Sequence, residues 1–204
     1  MFITLDGGDG CGKSTQVRLL AEKLQTQGHK VVCCRDPGST PLGDAVRNIL
    51  LNRRELHIAD MTEVFLFMAA RSQLVREIVR PALETGKIVL SDRFLISTLV
   101  YQCYAGGVPV HVLESIGAAA VGDTSPDLGI VLDLPYEKAV RRLEQRSVPD
   151  RMEQKGEEYH RRVREGFLKY AAAAPDRYVV IDATPTPNEV ADTIWKTVLT
   201  RVYT

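Results

Sequence analysis

Short β-branched apolar runs alternate along the chain with longer stretches of helical period, which is the pattern of βα units wound around a parallel sheet. Five such runs stand out, at 2–5, 30–34, 87–90, 128–132 and 178–181, and each is apolar enough for a strand covered on both faces. The first helix should follow Lys13, with Val17, Leu19, Leu20 and Leu24 on its apolar face and Gly28 as its stop. Further helices are expected near 42–52, 61–84, 94–104, 110–121, 136–146, 157–173 and 187–202, with a kink or restart where Pro81 interrupts the second of these. There is no internal repeat, no low-complexity segment and no linker long enough to separate one domain from another, so residues 1–204 read as a single domain.

Composition narrows the class. At 204 residues, 45% hydrophobic and 25% charged, the chain has the make-up of a soluble globular domain, which excludes disordered, collagenous and disulfide-scaffold readings. Lys plus Arg is 26 and Asp plus Glu is 26, so no global field exists to hold nucleic acid or an anionic membrane, and neither is expected as a partner. Cys11, Cys33, Cys34 and Cys103 show no metal-ligand spacing, and the adjacent pair is badly placed for a structural bridge. His29, His57, His111 and His160 are far apart in sequence, which disfavours structural zinc. Residues 1–5 run straight into Asp6 without a basic leader or a long apolar segment, so a reduced, cytoplasmic protein is expected.

Local chemistry then carries the function. After the first apolar run comes Gly7-Gly8-Asp9-Gly10-Cys11-Gly12-Lys13-Ser14, followed by Thr15, a match to G-x-x-x-x-G-K-S/T between a strand and a helix. Its glycines allow successive backbone N–H groups to point inward, and the helix N-terminus adds its positive end. The fitting ligand is a polyphosphate such as ATP, with Lys13 reaching the β- and γ-phosphates and Ser14 completing the shell of a Mg²⁺ ion held mostly by phosphate and water. The fold class is therefore α/β, a three-layer P-loop NTPase fold with a five-stranded parallel sheet covered by helices.

A guanine-specific switch protein needs N-K-x-D, but Asn48, Asn52 and Asn188 are not followed by Lys. Ser91-Asp92-Arg93 ends the third run, which sets a carboxylate suited to Mg²⁺ water and a guanidinium suited to phosphate beside the loop. Arg141, Arg142, Arg146 and Arg151 surround Ser147-Val148-Pro149-Asp150, where a helix should end. That segment, about 142–156, reads as a short arginine-bearing flap or as a solvated charged loop.

Taken together, the P-loop from Gly7 to Thr15, Arg35-Asp36-Pro37-Gly38-Ser39-Thr40, Phe67-Met68-Ala69-Ala70-Arg71, Asp92-Arg93-Phe94, Tyr101-Gln102, Ser125-Pro126-Asp127-Leu128, Asp150-Arg151-Met152-Glu153 and Ile181-Asp182-Ala183-Thr184 resemble the bacterial thymidylate kinases in order and spacing over essentially the whole chain. The resemblance implies transfer of the γ-phosphoryl of ATP to dTMP, a step toward dTTP for DNA replication, with Mg²⁺, in a homodimer. It implies that Phe67 stacks on thymine while Arg71, one turn along the same helix face, hydrogen-bonds the base. Thr98 and Gln102 match positions near the base, Tyr101 one that crowds the ribose 2′ carbon, Asp9 one near the 3′-hydroxyl, and Ala183 and Thr184 positions near adenine. Arg93 and Arg47 would grip the acceptor phosphate, with Asp36 beside them; Arg35 is placed similarly, although pairing with Asp36 would look the same.

The family divides by whether its catalytic arginine lies in the P-loop or in the flap. Gly10 occupies the loop position here, so the resemblance assigns the role to Arg142, Arg146 and Arg151. Ser39, Asp36, Phe94 and Cys103 depart from the commoner family residues Gly, Glu, Tyr or His, and Gly. Plain core packing is the expectation for Phe65 and Leu66. Cys11 is either an oxidation-sensitive thiol beside Lys13 or a small side chain tolerated in the loop. Two other readings compete: a kinase of the same fold with another small acceptor, and a nucleotide-binding regulatory module without turnover.

Overall fold

A computed structural model describes residues 1–53, 55–144 and 150–202. Its centre is a five-stranded parallel sheet in the order β2-β3-β1-β4-β5, built from β1 (Phe2–Gly7), β2 (Val31–Arg35), β3 (Ile88–Asp92), β4 (Leu128–Asp133) and β5 (Tyr178–Asp182). The helices are α1 (Lys13–Thr26), α2 (Pro41–Leu51), α3 (Asp60–Leu74), α4 (Arg80–Glu84), α5 (Leu95–Thr98), α6 (Val110–Val121), α7 (Tyr136–Leu143), α8 (Glu157–Ala173) and α9 (Pro187–Val202). Among the described residues no helix is long and apolar enough to cross a membrane.

Alternation along β1 divides the core into two layers. Ile3 and Leu5 point to one face, where Val17, Leu20 and Leu24 of α1 meet Ile194 and Val198 of α9. Phe2 points to the other, toward Leu74, Val79 and Phe94, and Val131 continues that layer against Val100, Val163 and Phe167. Thr4 and Asp6 share the Phe2 face and are fully buried. The apolar run alone ends at residue 5; the strand continues because Asp6 finds buried donors, described below.

Expectation and structure diverge at the sheet edges. β1, β3 and β4 are covered on both faces, but β2 and β5 are not: Cys33 is exposed, and Val180 is 42% exposed. An edge strand has one neighbour and a narrower helical cover, so apolar composition does not guarantee two buried faces. The helix expected near 61–84 is continuous in path but changes pitch. A π-helical turn at Val75–Val79 precedes α4, where Arg80 donates to Val75 O and Pro81, lacking an N–H, restarts the helix in its first turn. The segment at 94–104 resolves into α5 and a second π-helical turn at Leu99–Ala105.

The parallel register sets the site. Leu5 lies opposite Asp92, so the loop after β1 and the Asp92-Arg93 corner after β3 leave adjacent strands at the same carboxyl edge, where open α/β sheets bind ligands.

Candidate active site

Gly12 caps α1 with φ 97 and offers no side-chain cap. The first amides of α1 are therefore left for an anion. Gly10 also sits in the left-handed region, at φ +77, and a Cβ there would lie 2.9 Å from Ala139 O and 3.2 Å from the Leu143 side chain. The loop thus packs directly on α7. Lys13 folds back to donate to Gly8 O at 2.7 Å and Gly7 O at 3.3 Å, and the Ser14 hydroxyl donates to Asp92 Oδ2 at 2.5 Å. Cys11 is packed beneath Lys13 and is only 3% exposed, so the thiol is shielded from solvent. A groove of about 640 Å³ runs along the loop between Lys13, Ser14, Asp92 and the guanidiniums of Arg35, Arg47 and Arg93.

The three guanidiniums mark a place for an anion. Burial pushes Arg47 below its ordinary value, and the charges of Arg35 and Arg93 push the same way. Arg35 pairs with Asp44 rather than with Asp36, which answers the ambiguity left by their adjacency. Asp36 is instead fully enclosed against Arg71.

Arg93 joins this groove to a second cavity. It is one of two non-glycine residues at positive φ, 70°, among the described residues. Its guanidinium donates to Gly7 O at 2.9 Å, to Asp9 Oδ1 at 2.5 Å and to the Tyr101 hydroxyl at 3.1 Å. Tyr101 in turn donates to Asp9 Oδ2 at 2.8 Å. Burial alone would raise the Asp9 carboxyl, but Arg93, Lys13 and the Tyr101 hydrogen bond outweigh it and hold the group at about 2. A carboxylate depressed in this way stabilises the fold fully above its unfolded value near pH 4 and loses that contribution progressively as pH falls from there through about 2. At neutral pH Asp9 is an acceptor only.

The second cavity, of about 510 Å³, is lined by Asp9, Asp36, Arg47, Phe67, Arg71, Arg93, Thr98, Tyr101 and Gln102. Phe67 reaches it from α3 and Arg71 from one turn further on. Arg71 is only 1% exposed, and its guanidinium is fixed in plane: Nε donates to Asp36 Oδ2 at 2.5 Å, and Nη2 donates to Thr98 Oγ1 at 2.8 Å and Phe94 O at 3.3 Å. Gln102 is turned by a 2.9 Å donation to Glu63 Oε1. An aromatic face, a fixed donor and a phosphate-sized cationic end suit a nucleoside monophosphate.

A third cavity of about 520 Å³ continues on the other side of the loop, among Gly10, Cys11, Gly12, Thr15, Arg142 and Ala183. Arg142 donates to Ala183 O at 2.9 Å, and the Thr184 amide and hydroxyl both donate to Asp182 at 2.8 Å. Arg151 stands elsewhere: it donates to Leu50 O at 2.7 Å and pairs with Glu63, so it lies by the nucleoside cavity rather than over the P-loop. Arg146 lies outside the described residues. Among the described residues no three His, Cys, Asp or Glu side chains cluster as a metal cage. The hard oxygens of Ser14 and Asp92 fit Mg²⁺, which keeps water and phosphate for its other ligands.

Three contributors go unnoticed in the sequence. Glu63 ties Gln102 to Arg151 and Lys155, but on a helix it looks like one more surface charge. Asp6 and Ser97 support Arg93 through contacts 91 and 4 residues distant in sequence. Only a carboxylate closing a buried strand hints at the first. Phe65 reverses its expectation, being 55% exposed rather than in the core.

A P-loop joined through one arginine to a nucleoside-sized, cation-ended cavity defines a phosphotransferase of the nucleoside monophosphate kinase class. The thymidylate kinase family model matches residues 5–194. A thymidylate kinase of Trichlorobacter lovleyi is 42% identical over 99% of this chain and 98% of its own length, and one of Deinococcus radiodurans is 43% identical over 98% and 97%. The crystal structure of thymidylate kinase from Ehrlichia chaffeensis superposes with a TM-score of 0.79 at 32% identity, covering 97% of this chain and 98% of that one. The chain belongs to the thymidylate kinase family.

The Gly10 contact yields a prediction. Gly10→Ala forces a side chain into the left-handed region at a cost of about 1–2 kcal/mol and presses on Ala139, so thermal unfolding should shift downward and turnover should fall as α7 is displaced. An unchanged melting temperature would contradict the packing of the loop on α7.

Proposed function

We infer that the protein transfers the γ-phosphoryl group of ATP to dTMP, forming ADP and dTDP, with donor and acceptor meeting at Arg93. The observation that carries this reading is the placement of that one guanidinium, bonded to Gly7 and Asp9 of the P-loop while lining the nucleoside cavity. Backbone amides of the loop, the α1 N-terminus and Lys13 hold the triphosphate. Arg47 and Arg93 hold the acceptor phosphate, and Asp36 and Thr98 fix Arg71 so that its guanidinium meets the pyrimidine O4 while Phe67 stacks on the ring. Cytosine, with an amino group at that position, is disfavoured. Tyr101 crowds the 2′ carbon and Asp9 accepts from the 3′-hydroxyl. Gln102 faces the base edge.

The acceptor is already an anion, so catalysis consists of positioning and charge stabilisation without a general base. Ser14 and Asp92 would hold Mg²⁺ against the phosphates, where the ion supplies charge neutralisation. Among the flap arginines, Arg142 shares the donor-side cavity with the P-loop, and Arg151 must leave Glu63 to reach the phosphates. Arg146 completes the set assigned by the resemblance. Ala183 and Thr184 flank the adenine end. Closing the flap around both substrates excludes water, which would otherwise accept the phosphoryl group.

The same reading includes a homodimer and a cytoplasmic setting. Phe65 on α3 and Val110 on α6 are exposed at 55% and 43%, on two helices that pack together, and such apolar exposure suits a subunit interface. The four thiols are all free, as a reducing compartment would leave them.

Two measurements check these statements. ADP formation with Mg²⁺ and ATP should be strong with dTMP, weaker with dUMP and dCMP, and negligible with thymidine or no acceptor; Lys13→Ala should lower it at least ~10²-fold. Turnover confined to another acceptor would overturn the Phe67 and Arg71 assignments, and tight ATP binding without turnover on any acceptor would indicate a regulatory module. In light scattering the protein should have about twice the chain mass of 22.7 kDa, and Phe65→Glu should shift it toward the monomer.

A further inference from the structure

We propose that Asp6 is a positioning residue for the acceptor phosphate, acting through Ser97 and the backbone of residues 93–94 to aim the Arg93 guanidinium. The inference rests on the reading of Arg93 as a phosphate ligand, and it concerns a side chain that touches no substrate.

Arg93 occupies the left-handed region at φ 70, which an L side chain adopts only when its surroundings hold it there. Its own amide donates to Leu5 O at 2.9 Å, and its carbonyl accepts from the Ser91 hydroxyl at 2.7 Å. The next amide, of Phe94, donates to Asp6 Oδ1 at 3.1 Å. The turn is therefore pinned on both sides of the strained residue, with Asp6 supplying the outer pin. The same oxygen accepts from the Ser97 hydroxyl at 2.6 Å, which leaves the Ser97 oxygen's lone pairs turned toward Arg93 Nη1, 3.1 Å away. One carboxylate oxygen thus sets the backbone from which the guanidinium springs and the hydroxyl that steadies its tip.

Asp6 suits this role because it is fully buried at the end of the central strand, next to Gly7 and paired with Val131 of β4. The P-loop and the Arg93 turn are therefore referenced to one fixed atom. A guanidinium displaced by an ångström loses much of its effect on a phosphate. Simple filling of the core would not require an oxygen here. The buried Phe94 amide and Ser97 hydroxyl both need an acceptor, and one placed elsewhere would satisfy them without aligning Arg93.

The test separates the phosphate's contribution from everything else the site binds. Dissociation constants for dTMP, for thymidine and for ADP are measured for the full chain carrying Asp6→Ala, Asp6→Asn, Ser97→Ala or Arg93→Ala. The thymidine-to-dTMP ratio of dissociation constants reports what the phosphate adds. It should collapse in Arg93→Ala. In Asp6→Ala it should fall roughly tenfold or more, with ADP and thymidine binding in that variant close to wild type and KM for dTMP rising while KM for ATP does not. Asp6→Asn keeps an acceptor oxygen and should restore most of the ratio. Ser97→Ala retains the Asp6–Phe94 bond, should fall between, and carries the test if Asp6→Ala does not fold. A ratio unchanged in Asp6→Ala, or unchanged in Ser97→Ala where Asp6→Ala does not fold, or a parallel loss of all three affinities, would overturn the proposal. A ratio unchanged in Arg93→Ala would instead remove the phosphate reading on which it rests.

Discussion

Arg93 is the side chain on which both halves of the site converge. A guanidinium offers five donors in a planar fork, and here they are divided among the P-loop carbonyl of Gly7, the Asp9 carboxylate, the Ser97 hydroxyl and the Tyr101 hydroxyl. The donor-side loop and the acceptor cavity cannot move apart without breaking that set. The ion pair with Asp9 is largely enclosed, its side chains 17% and 19% exposed, so solvent screens it less than a surface pair. It also keeps the loop carboxylate charged, so the cavity wall presents a cation and an anion side by side.

The sheet makes this possible. Parallel pairing of Leu5 with Asp92 fixes how far the β1 loop stands from the β3 corner, and helices on both faces hold the strands in place. A second buried pair, Arg71 with Asp36, is held in the wall of the same cavity in the same way. It fixes a donor in the cavity wall by engaging the other faces of its guanidinium. Both arginines are costly to bury alone and are held by carboxylates from neighbouring segments.

What can be read in the sequence is what local patterning controls. The central strands, the P-loop and the restart at Pro81 follow from runs of a few residues and from the chemistry of glycine and proline. Phe67 and Arg71 fall on one helix face by their spacing. The long-range pairings are not readable: nothing local to Arg35-Asp36 says that Asp36 turns to Arg71 while Arg35 turns to Asp44. Nothing near Arg151 announces Glu63, 88 positions away. The apolar run around Phe65 points to the core because composition does not show which of its faces the fold leaves open, and Asp6 looks like the end of a strand because its donors lie near residue 95.

Whether one arginine joins the nucleotide loop to the acceptor's phosphate is a question of geometry, and a crystal structure of the protein with ADP, Mg²⁺ and dTMP tests it most directly. The dTMP phosphate should lie within hydrogen-bonding distance of Arg93 and Arg47, in line with the end of the ADP phosphates, with the base between Phe67 and Arg71. A dTMP phosphate lying away from Arg93, with that guanidinium still bonded only to Asp9, Gly7 and its neighbours, would contradict it.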